Sequence, residues 1–285
     1  MKVCRYSPAA GAVRVGLSPD NHTLIDLTPA GITRLDALLE SENPLARARE
    51  LAAQDLPRVA LEGVTLLPPV EDQEVWAAGV TYLRSKKARM EESEFSASAY
   101  DRVYDADRPE IFFKSLAAKV VTSGDSVGIR ADAKWSVPEP ELALVINSRG
   151  RVVGCGVGND MSSRDIEGEN LLYLPQAKVY DRACGLGPWI SLEADEATAR
   201  TWQIAIEIRR GGAAVFSGET SVNQLKRSFD ELAGYLFRSQ RFPHGAVLFT
   251  GTGIVPPDSF TLQADDEVEI AISGIGRLVN RVVVV

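Results

Sequence analysis

Two glutamates, Glu139 and Glu141, stand two residues apart in the stretch "KWSVPEPELALVI", each directly after a proline and ahead of an apolar run. The apolar run predicts a strand, and side chains at i and i+2 of a strand point to the same face. The two carboxylates are therefore expected to project together. Two like charges side by side are unfavourable unless a positive charge lies between them. The pair thus indicates either a solvated strand start or a cation site.

A third carboxylate, Asp160, follows the strand-like stretch "RVVGCGVGN", which comes after the turn "NSRGR". If the two apolar runs pair as a hairpin with its turn near residues 148–150, residue 139 pairs around residue 159, and Asp160 lies beside the glutamates. Carboxylate oxygens without histidine or thiolate select hard cations, Mg²⁺ or Mn²⁺ more than zinc. The sequence therefore predicts a three-carboxylate metal site, in a register that a bulge among the glycines would shift by one residue.

The remaining catalytic side chains are limited. The chain has two histidines, His22 and His244, so a three-histidine zinc site is excluded and a Ser–His–Asp triad is not expected. Proton transfer then falls to Lys, Glu, Asp or Tyr. Lys178, in "LPQAKVYDRACGLGP", has apolar and aromatic neighbours that favour partial burial near the carboxylates. A lysine beside a cation can lose its proton and serve as a base.

The composition is that of a globular protein. The chain has 285 residues, of which 45% are hydrophobic and 25% charged, and this length allows one large domain or two unequal ones. A net charge of −8 without a basic run argues against nucleic-acid binding. No apolar stretch reaches the roughly 20 residues that span a bilayer, and no secretory signal is recognised. Three cysteines without CxxC spacing fit a reducing compartment, so we expect a cytoplasmic protein.

Short alternating stretches dominate the sequence and predict a strand-rich α+β fold, as a distorted barrel or sandwich with a few helices. The strand-like "VTLLPPV" ends at a proline pair, which we interpret as the boundary between a small N-terminal domain, residues 1–69, and a larger domain, residues 70–285. "RRGG" and "SGIG" predict hairpin turns. Ser221 and Gln224 form a predicted capping box at the start of an amphipathic helix.

Four motifs in this order, "PEPELA", "VGNDMSSRD", "QAKVYDRACGLGP" and "FTGTG", resemble the fumarylacetoacetate hydrolase superfamily over roughly residues 70–285. The resemblance implies a distorted β-barrel or β-sandwich catalytic domain, an added small N-terminal α+β domain, and a homodimer or higher homo-oligomer. It also implies that Glu139, Glu141 and Asp160 bind Mg²⁺, with Mn²⁺ as the alternative, and that Lys178 lines the catalytic pocket.

One departure from the superfamily pattern bears on the reaction. The C–C bond hydrolases carry "NYxxH" where this chain has "TYLRS", so Tyr82 matches but Ser85 replaces the histidine that helps to activate water. "GVTYLRS", "DRPEIFFKS" and "SSRDIEGENLLYLPQAK" are instead similar to the 2-keto-3-deoxy-pentonate dehydratase branch. In that branch the glutamate matching Glu110 works with the pocket lysine.

The resemblance implies a metal-dependent dehydratase that converts a 2-keto-3-deoxy-pentonate, of the arabinonate or xylonate type, to 2,5-dioxopentanoate. We assign Lys178 as base and Glu110 as acid, with the reverse order as the alternative. Two other classes stay open: an acylpyruvate hydrolase or oxaloacetate decarboxylase using the same metal, and a non-catalytic sugar-acid-binding protein. The candidate substrate-binding residues are Tyr82, Arg84, Ser85, Arg89, Arg164, Asp181 and Thr252.

Overall fold

The structure, a computed structural model, describes residues 1–8, 11–84, 102–193 and 195–285. Its strands are β1 (Lys2–Pro8), β2 (Arg14–Ser18), β3 (Thr23–Asp26), β4 (Arg58–Ala60), β5 (Val64–Leu67), β6 (Glu74–Gly79), β7 (Glu110–Leu116), β8 (Val120–Val121), β9 (Ser126–Ile129), β10 (Ser136–Val137), β11 (Pro140–Ile146), β12 (Val152–Asp160), β13 (Ser162–Ser163), β14 (Cys184–Leu186), β15 (Ile190–Ser191), β16 (Gln203–Arg210), β17 (Ala213–Ser221), β18 (Ala246–Thr252), β19 (Glu267–Ile272) and β20 (Gly276–Val284). The α-helices that lie wholly within the described residues are α1 (Asp36–Leu39), α2 (Pro44–Ala52), α3 (Arg164–Glu169), α4 (Leu174–Lys178), α5 (Glu196–Ala199) and α6 (Phe229–Phe237). Short 3₁₀ turns cover Thr28–Ala30, Leu61–Gly63, Ala117–Lys119, Leu171–Tyr173 and Val222–Gln224.

The large sheet has thirteen strands, and its central part runs β15–β12–β11–β18–β6–β7. β11 pairs antiparallel with β12 and with β18, β18 pairs parallel with β6, and β6 pairs antiparallel with β7. Every residue of β11 and β18 is buried. Strands covered on both faces read as continuous apolar runs, which is why "LALVI" and "AVLF" lack alternation.

β11 and β12 form the predicted hairpin, but its register differs by one residue from the expected one. The backbone amide of Asp160 donates to the carbonyl of Glu139 at 3.0 Å, so residue 139 lies opposite residue 160 rather than 159. The register shifts between Val145 and Ile146, close to the turn. The irregularity leaves Val153, next to Gly154 of β12, without a paired residue in β11, and this accounts for the difference.

A second sheet, ordered β17–β16–β19–β20–β9, packs against the first. β16 and β19 alternate between buried and partly exposed residues, as expected for strands with one face on the core. The buried isoleucines of β16 belong to the same apolar cluster as Leu142 and Leu144 of β11. The described fold is therefore strand-rich α+β with two packed sheets. The pairings of the described strands do not close the large sheet, so a barrel stays a prediction.

The N-terminal strands extend the large sheet. β1 pairs with β2 along one edge and with β15 and β5 along the other, where Val3 lies opposite Ile190. Helix α2 in this region begins at Pro44, and the Asn43 side chain caps it by accepting a hydrogen bond from the Ala46 amide. The division into domains at residue 69 stays a prediction.

The amphipathic helix begins later than predicted, so the capping box at Ser221 and Gln224 is wrong. The Ser221 side chain instead accepts from the Asn223 amide at the start of a 3₁₀ turn. Helix α6 begins at Phe229, with the Ser228 side chain accepting a hydrogen bond from the amide of an acidic residue three positions on. A helix start at Ser228 is favoured over one at Ser221 for two reasons. Serine is a good N-cap residue, and the two acidic residues that follow Ser228 in the first turn complement the helix dipole.

No α-helix in the described part of the chain has the length and apolarity needed to cross a membrane.

The three cysteines, Cys4, Cys155 and Cys184, are buried and unpaired. Burial raises the pKa of each thiol to about 12. Because the thiolate is the reactive form, we expect no reaction of native protein with DTNB near neutral pH, and three reacting thiols per chain once guanidinium unfolds it. Rapid labelling of any thiol in the native protein would contradict this packing.

Candidate active site

Three buried carboxylates meet where β11 begins and β12 ends. Glu139, Glu141 and Asp160 are 3%, 1% and 1% exposed, and one oxygen from each lies within 4.8 Å of the others. The predicted convergence is confirmed. Carboxylates that lie so close together and are shielded from water need compensating positive charge. Their oxygens are hard ligands, which suit Mg²⁺ or Mn²⁺ better than zinc.

Buried cations contact this cluster directly. Lys178, the last residue of α4 and 2% exposed, donates from Nζ to Oε2 of Glu139 at 2.7 Å and to Oδ2 of Asp160 at 3.2 Å. Its third donor reaches Oγ of Ser162 at 2.6 Å. Arg164, at the start of α3, donates from Nη2 to Oε1 of Glu139 at 2.8 Å. Both predicted basic residues therefore lie against the metal-binding candidates.

The surroundings of Glu141 shift the pKa of its carboxyl group strongly. Burial, followed by the nearby charges of Asp160 and Glu139, raises its pKa well above the ordinary value. Lys178 and the backbone N–H of Gly251, which donates to Oε2 of Glu141 at 2.5 Å, act in the opposite direction. A divalent cation beside these oxygens would favour the ionised form.

Strand β7 presents Glu110 and Phe112 at alternating positions, so their side chains share one face, and Lys114 follows at a shift in the pairing of β7 with β6. Glu110 and Phe112 line a narrow cleft together with the three carboxylates and Lys178. Nζ of Lys178 lies 5.8 Å from the centre of the Phe112 ring. The predicted acid and the predicted base thus line the same cleft.

Among the candidate substrate-binding residues, Thr252 lines the cleft, and its hydroxyl lies 3.2 Å from the amide of Ile254. Tyr82 is buried, which raises the pKa of its phenol, and its hydroxyl makes no hydrogen bond to any described residue. Arg164 has its guanidinium on Glu139. The assignment of these residues to substrate binding stays a prediction.

Two other candidates do not line the cleft formed by the described residues. Arg84 is exposed. Asp181 has a side chain that is 69% exposed and lies 3.8 Å from Arg182. Ser85 and Arg89 lie outside the described residues. For these four residues as well, substrate binding stays a prediction.

Sequence reasoning missed two buried charged residues. Lys114 forms an ion pair with Asp160, and Glu167 of α3, 4% exposed, lines the cleft. A signal existed for both. The alternation in "EIFFK" predicts Lys114 on the face of Glu110, and Glu167 stands three residues after Arg164, one turn along the same helix.

The fold and this carboxylate–lysine site define the class of the protein. The profile described as "Fumarylacetoacetate (FAA) hydrolase C-terminal" matches residues 74–283, and the chain belongs to this family.

Particular members of the family are similar over nearly the whole chain. A probable 2-keto-3-deoxyxylonate dehydratase of Haloferax volcanii is 44% identical over 273 residues, 91% of this chain and 94% of the relative. A 2-dehydro-3-deoxy-D-arabinonate dehydratase of Saccharolobus solfataricus is 36% identical over 268 residues, 92% and 90% of the two chains. A solved 2-keto-3-deoxy-D-arabinonate dehydratase, complexed with magnesium and 2,5-dioxopentanoate, superposes with a TM-score of 0.85 at 32% identity, covering 100% of this chain and 99% of its own.

Proposed function

We propose that this chain is a magnesium-dependent dehydratase that converts a 2-keto-3-deoxy-pentonate to 2,5-dioxopentanoate. The observation that carries the proposal is one cleft lined by three converging carboxylates, Lys178 and Glu110. The dehydratase relatives and the solved dehydratase with magnesium and 2,5-dioxopentanoate support the choice of reaction.

The metal would be held by Glu139, Glu141 and Asp160, with Mn²⁺ as the alternative to Mg²⁺. The residues fit such an ion because they offer only carboxylate oxygens, lie within 4.8 Å of one another and are buried. When bound, the ion supplies a Lewis acid that polarises the ketone of a 2-keto acid and stabilises the negative charge that develops on its oxygen.

Lys178 is suited to move the proton of C3. Its Nζ is fixed by Glu139, Asp160 and Ser162, so the amine is held in one position beside the metal-binding oxygens. As base, Lys178 acts in its neutral amine form, which a cation at the neighbouring carboxylates would favour. Its Nζ takes the C3 proton, the electrons of that C–H bond pass towards the ketone oxygen, and they then form a double bond between C3 and C4 as the C4–O bond breaks.

Glu110 is suited to assist the leaving hydroxyl. Its carboxyl group lines the same cleft on β7 and, when protonated, gives its proton to the C4 hydroxyl, which leaves as water. The resulting unsaturated keto acid tautomerises to 2,5-dioxopentanoate. The reverse assignment, with Glu110 as base and Lys178 as acid, uses the same two groups.

The decisive assay incubates the purified protein with racemic 2-keto-3-deoxy-pentonate and Mg²⁺ and measures 2,5-dioxopentanoate. We expect product that disappears with EDTA and returns with Mg²⁺ or Mn²⁺. Acylpyruvate hydrolysis and oxaloacetate decarboxylation are measured in parallel. Activity only on those substrates would reject the dehydratase, and substrate binding without turnover of any of them would favour a sugar-acid-binding protein.

Gly79 provides the space that the Glu110 carboxylate occupies. The two residues lie opposite each other in β6 and β7, and a Cβ at Gly79 would overlap with Cδ and Oε2 of Glu110. Because those atoms end a flexible side chain, we expect Gly79→Ala to fold but to displace the carboxylate. A misplacement of this size lowers kcat by about 100-fold. Steady-state kinetics and thermal unfolding measure the two effects.

The matched control is Gly168→Ala on α3, where a Cβ meets nothing within 4 Å. We expect wild-type kcat from this variant. Wild-type kcat from Gly79→Ala would show that the position of the Glu110 carboxylate does not limit the reaction.

We also propose the finer organisation that the sequence predicts: a small N-terminal domain over residues 1–69, a distorted barrel or sandwich over residues 70–285, and assembly into a homodimer or higher homo-oligomer in the cytoplasm. The match of the family profile from residue 74 supports the boundary. The net charge of −8 supports the absence of nucleic-acid and membrane partners. Sedimentation velocity measures the oligomeric state.

A further inference from the structure

Lys114 is a buried lysine with three acceptors around its ammonium group. It is 1% exposed. Its Nζ forms a close ion pair with Oδ1 of Asp160 and donates to the backbone carbonyls of Met161 at 2.9 Å and Lys178 at 2.6 Å. Two of the three donors of the ammonium group therefore bind backbone carbonyls, and its charge pairs with the Asp160 carboxylate.

The three acceptors belong to two different parts of the site. Asp160 ends β12 and Met161 follows it, whereas the carbonyl of Lys178 lies at the C-terminal end of α4. That carbonyl carries partial negative charge from the helix end, which an ammonium group complements. Lys114 therefore joins the strand that ends in a metal-binding candidate to the helix that ends in the proposed base.

We propose that Lys114 is a positioning residue of the proposed dehydratase, whose ammonium fixes the Asp160 carboxylate and the backbone of Lys178 relative to each other. The roles of Asp160 and Lys178 rest on the proposed function; the contacts that join them do not.

The contacts also restrict the orientation of the Asp160 carboxylate. Lys114 lies on Oδ1, whereas Lys178 contacts Oδ2 at 3.2 Å. The Lys178 side chain lines the cleft, whereas Lys114 lies outside the lining that the described residues form. Each oxygen of Asp160 thus faces one ammonium group, and the two contacts together fix the orientation of the carboxylate that would hold the metal. Removing the ammonium frees Oδ1 and allows the carboxylate to turn.

The test uses the full chain and Mn²⁺ as a paramagnetic probe. Lys114→Met keeps the length of the side chain but removes its charge and donors. We expect a changed EPR spectrum of bound Mn²⁺, since Asp160 can then ligate differently, and a change in the Mn²⁺ Kd of about tenfold or more, as for other residues that orient metal ligands. We expect kcat to fall about 100-fold with KM nearly unchanged, because the base is misplaced but the binding groups remain.

Two further variants make the result specific. Lys119→Met makes the same change at an exposed position just after β7 and should leave the spectrum, Kd and kcat at wild-type values. Lys114→Arg keeps the charge and several donors and should recover at least part of the spectrum and of kcat. If Lys114→Met does not fold, Lys114→Gln replaces it, with the same change in the spectrum expected.

A folded Lys114→Met or Lys114→Gln protein with the wild-type Mn²⁺ spectrum and Kd would overturn the proposal, whatever its activity. Since neither measurement needs substrate, a changed spectrum in a chain without dehydratase activity would uphold the role of Lys114 and reject the proposed reaction. Failure of the wild-type chain to bind Mn²⁺ would overturn both.

Discussion

Alanine in place of Lys178 is expected to abolish dehydration and to leave metal binding intact. The amine is the only basic group that contacts both Glu139 and Asp160 among the described residues, and losing a general base typically lowers kcat by about 10²–10⁴-fold. The ammonium group shares those carboxylate oxygens with any cation that binds there. Its removal should therefore leave the Mg²⁺ affinity unchanged or increase it. Product formation gives kcat, and isothermal titration calorimetry gives the Kd of Mg²⁺.

Lys134→Ala is the matched control, because Lys134 is exposed and stands only five residues before Glu139 in the sequence. It should retain wild-type kcat and metal affinity. A wild-type kcat in Lys178→Ala would remove Lys178 from the mechanism, whereas parallel loss of activity and of Mg²⁺ binding would mean that the lysine serves the metal site and not the proton transfer.

The core of the site could be predicted because its determinants are local. Glu139 and Glu141 share a face through strand alternation, and one turn returns the chain to Asp160. Polar residues in "NSRGR" mark that turn, and buried strands on both sides limit the choice of register. The remaining error of one residue came from an irregularity at Val145, which hydrophobic pattern does not encode.

Other features depend on contacts between distant segments. Lys114 meets the carbonyl of Lys178 across 64 residues of chain, and Glu167 is buried only because α3 docks against the cleft. Alternation and helical spacing place such residues on a face but do not say what the face meets. Ser221 shows the same limit locally, since a serine three residues before a glutamine fits a turn as well as a helix.

The protein's own cations compensate the three carboxylates unevenly. Glu139 contacts Arg164 and Lys178, and Asp160 contacts Lys114 and Lys178. Burial, followed by the charges of its two acidic neighbours, raises the pKa of the remaining carboxylate, Glu141. Its ionised form therefore disfavours the folded metal-free chain, and a bound divalent cation would relieve that cost.

Glu141→Gln is accordingly expected to change metal affinity and stability in opposite directions. The amide removes one of three negative ligands, so the Mg²⁺ Kd should rise by at least about 100-fold, more than the loss of an outer hydrogen bond costs. Without metal, the variant should be about 1 kcal/mol more stable than the wild type at neutral pH, because it no longer buries a poorly compensated charge. The amide oxygen can still accept from the Gly251 N–H.

The pH dependence of unfolding tests the sign of the expected stability gain. A carboxyl whose pKa is raised by folding holds its proton more tightly in the folded state, so ionisation destabilises the fold as pH rises above the ordinary value of about 4.3. The stability gain of Glu141→Gln should therefore be largest at neutral pH and vanish on acidification. Urea unfolding in EDTA measures it, with Glu169→Gln on the exposed end of α3 as the control. A metal-free Glu141→Gln protein less stable than the wild type, with unchanged Mg²⁺ affinity, would mean that Glu141 is a structural carboxylate and not a metal ligand.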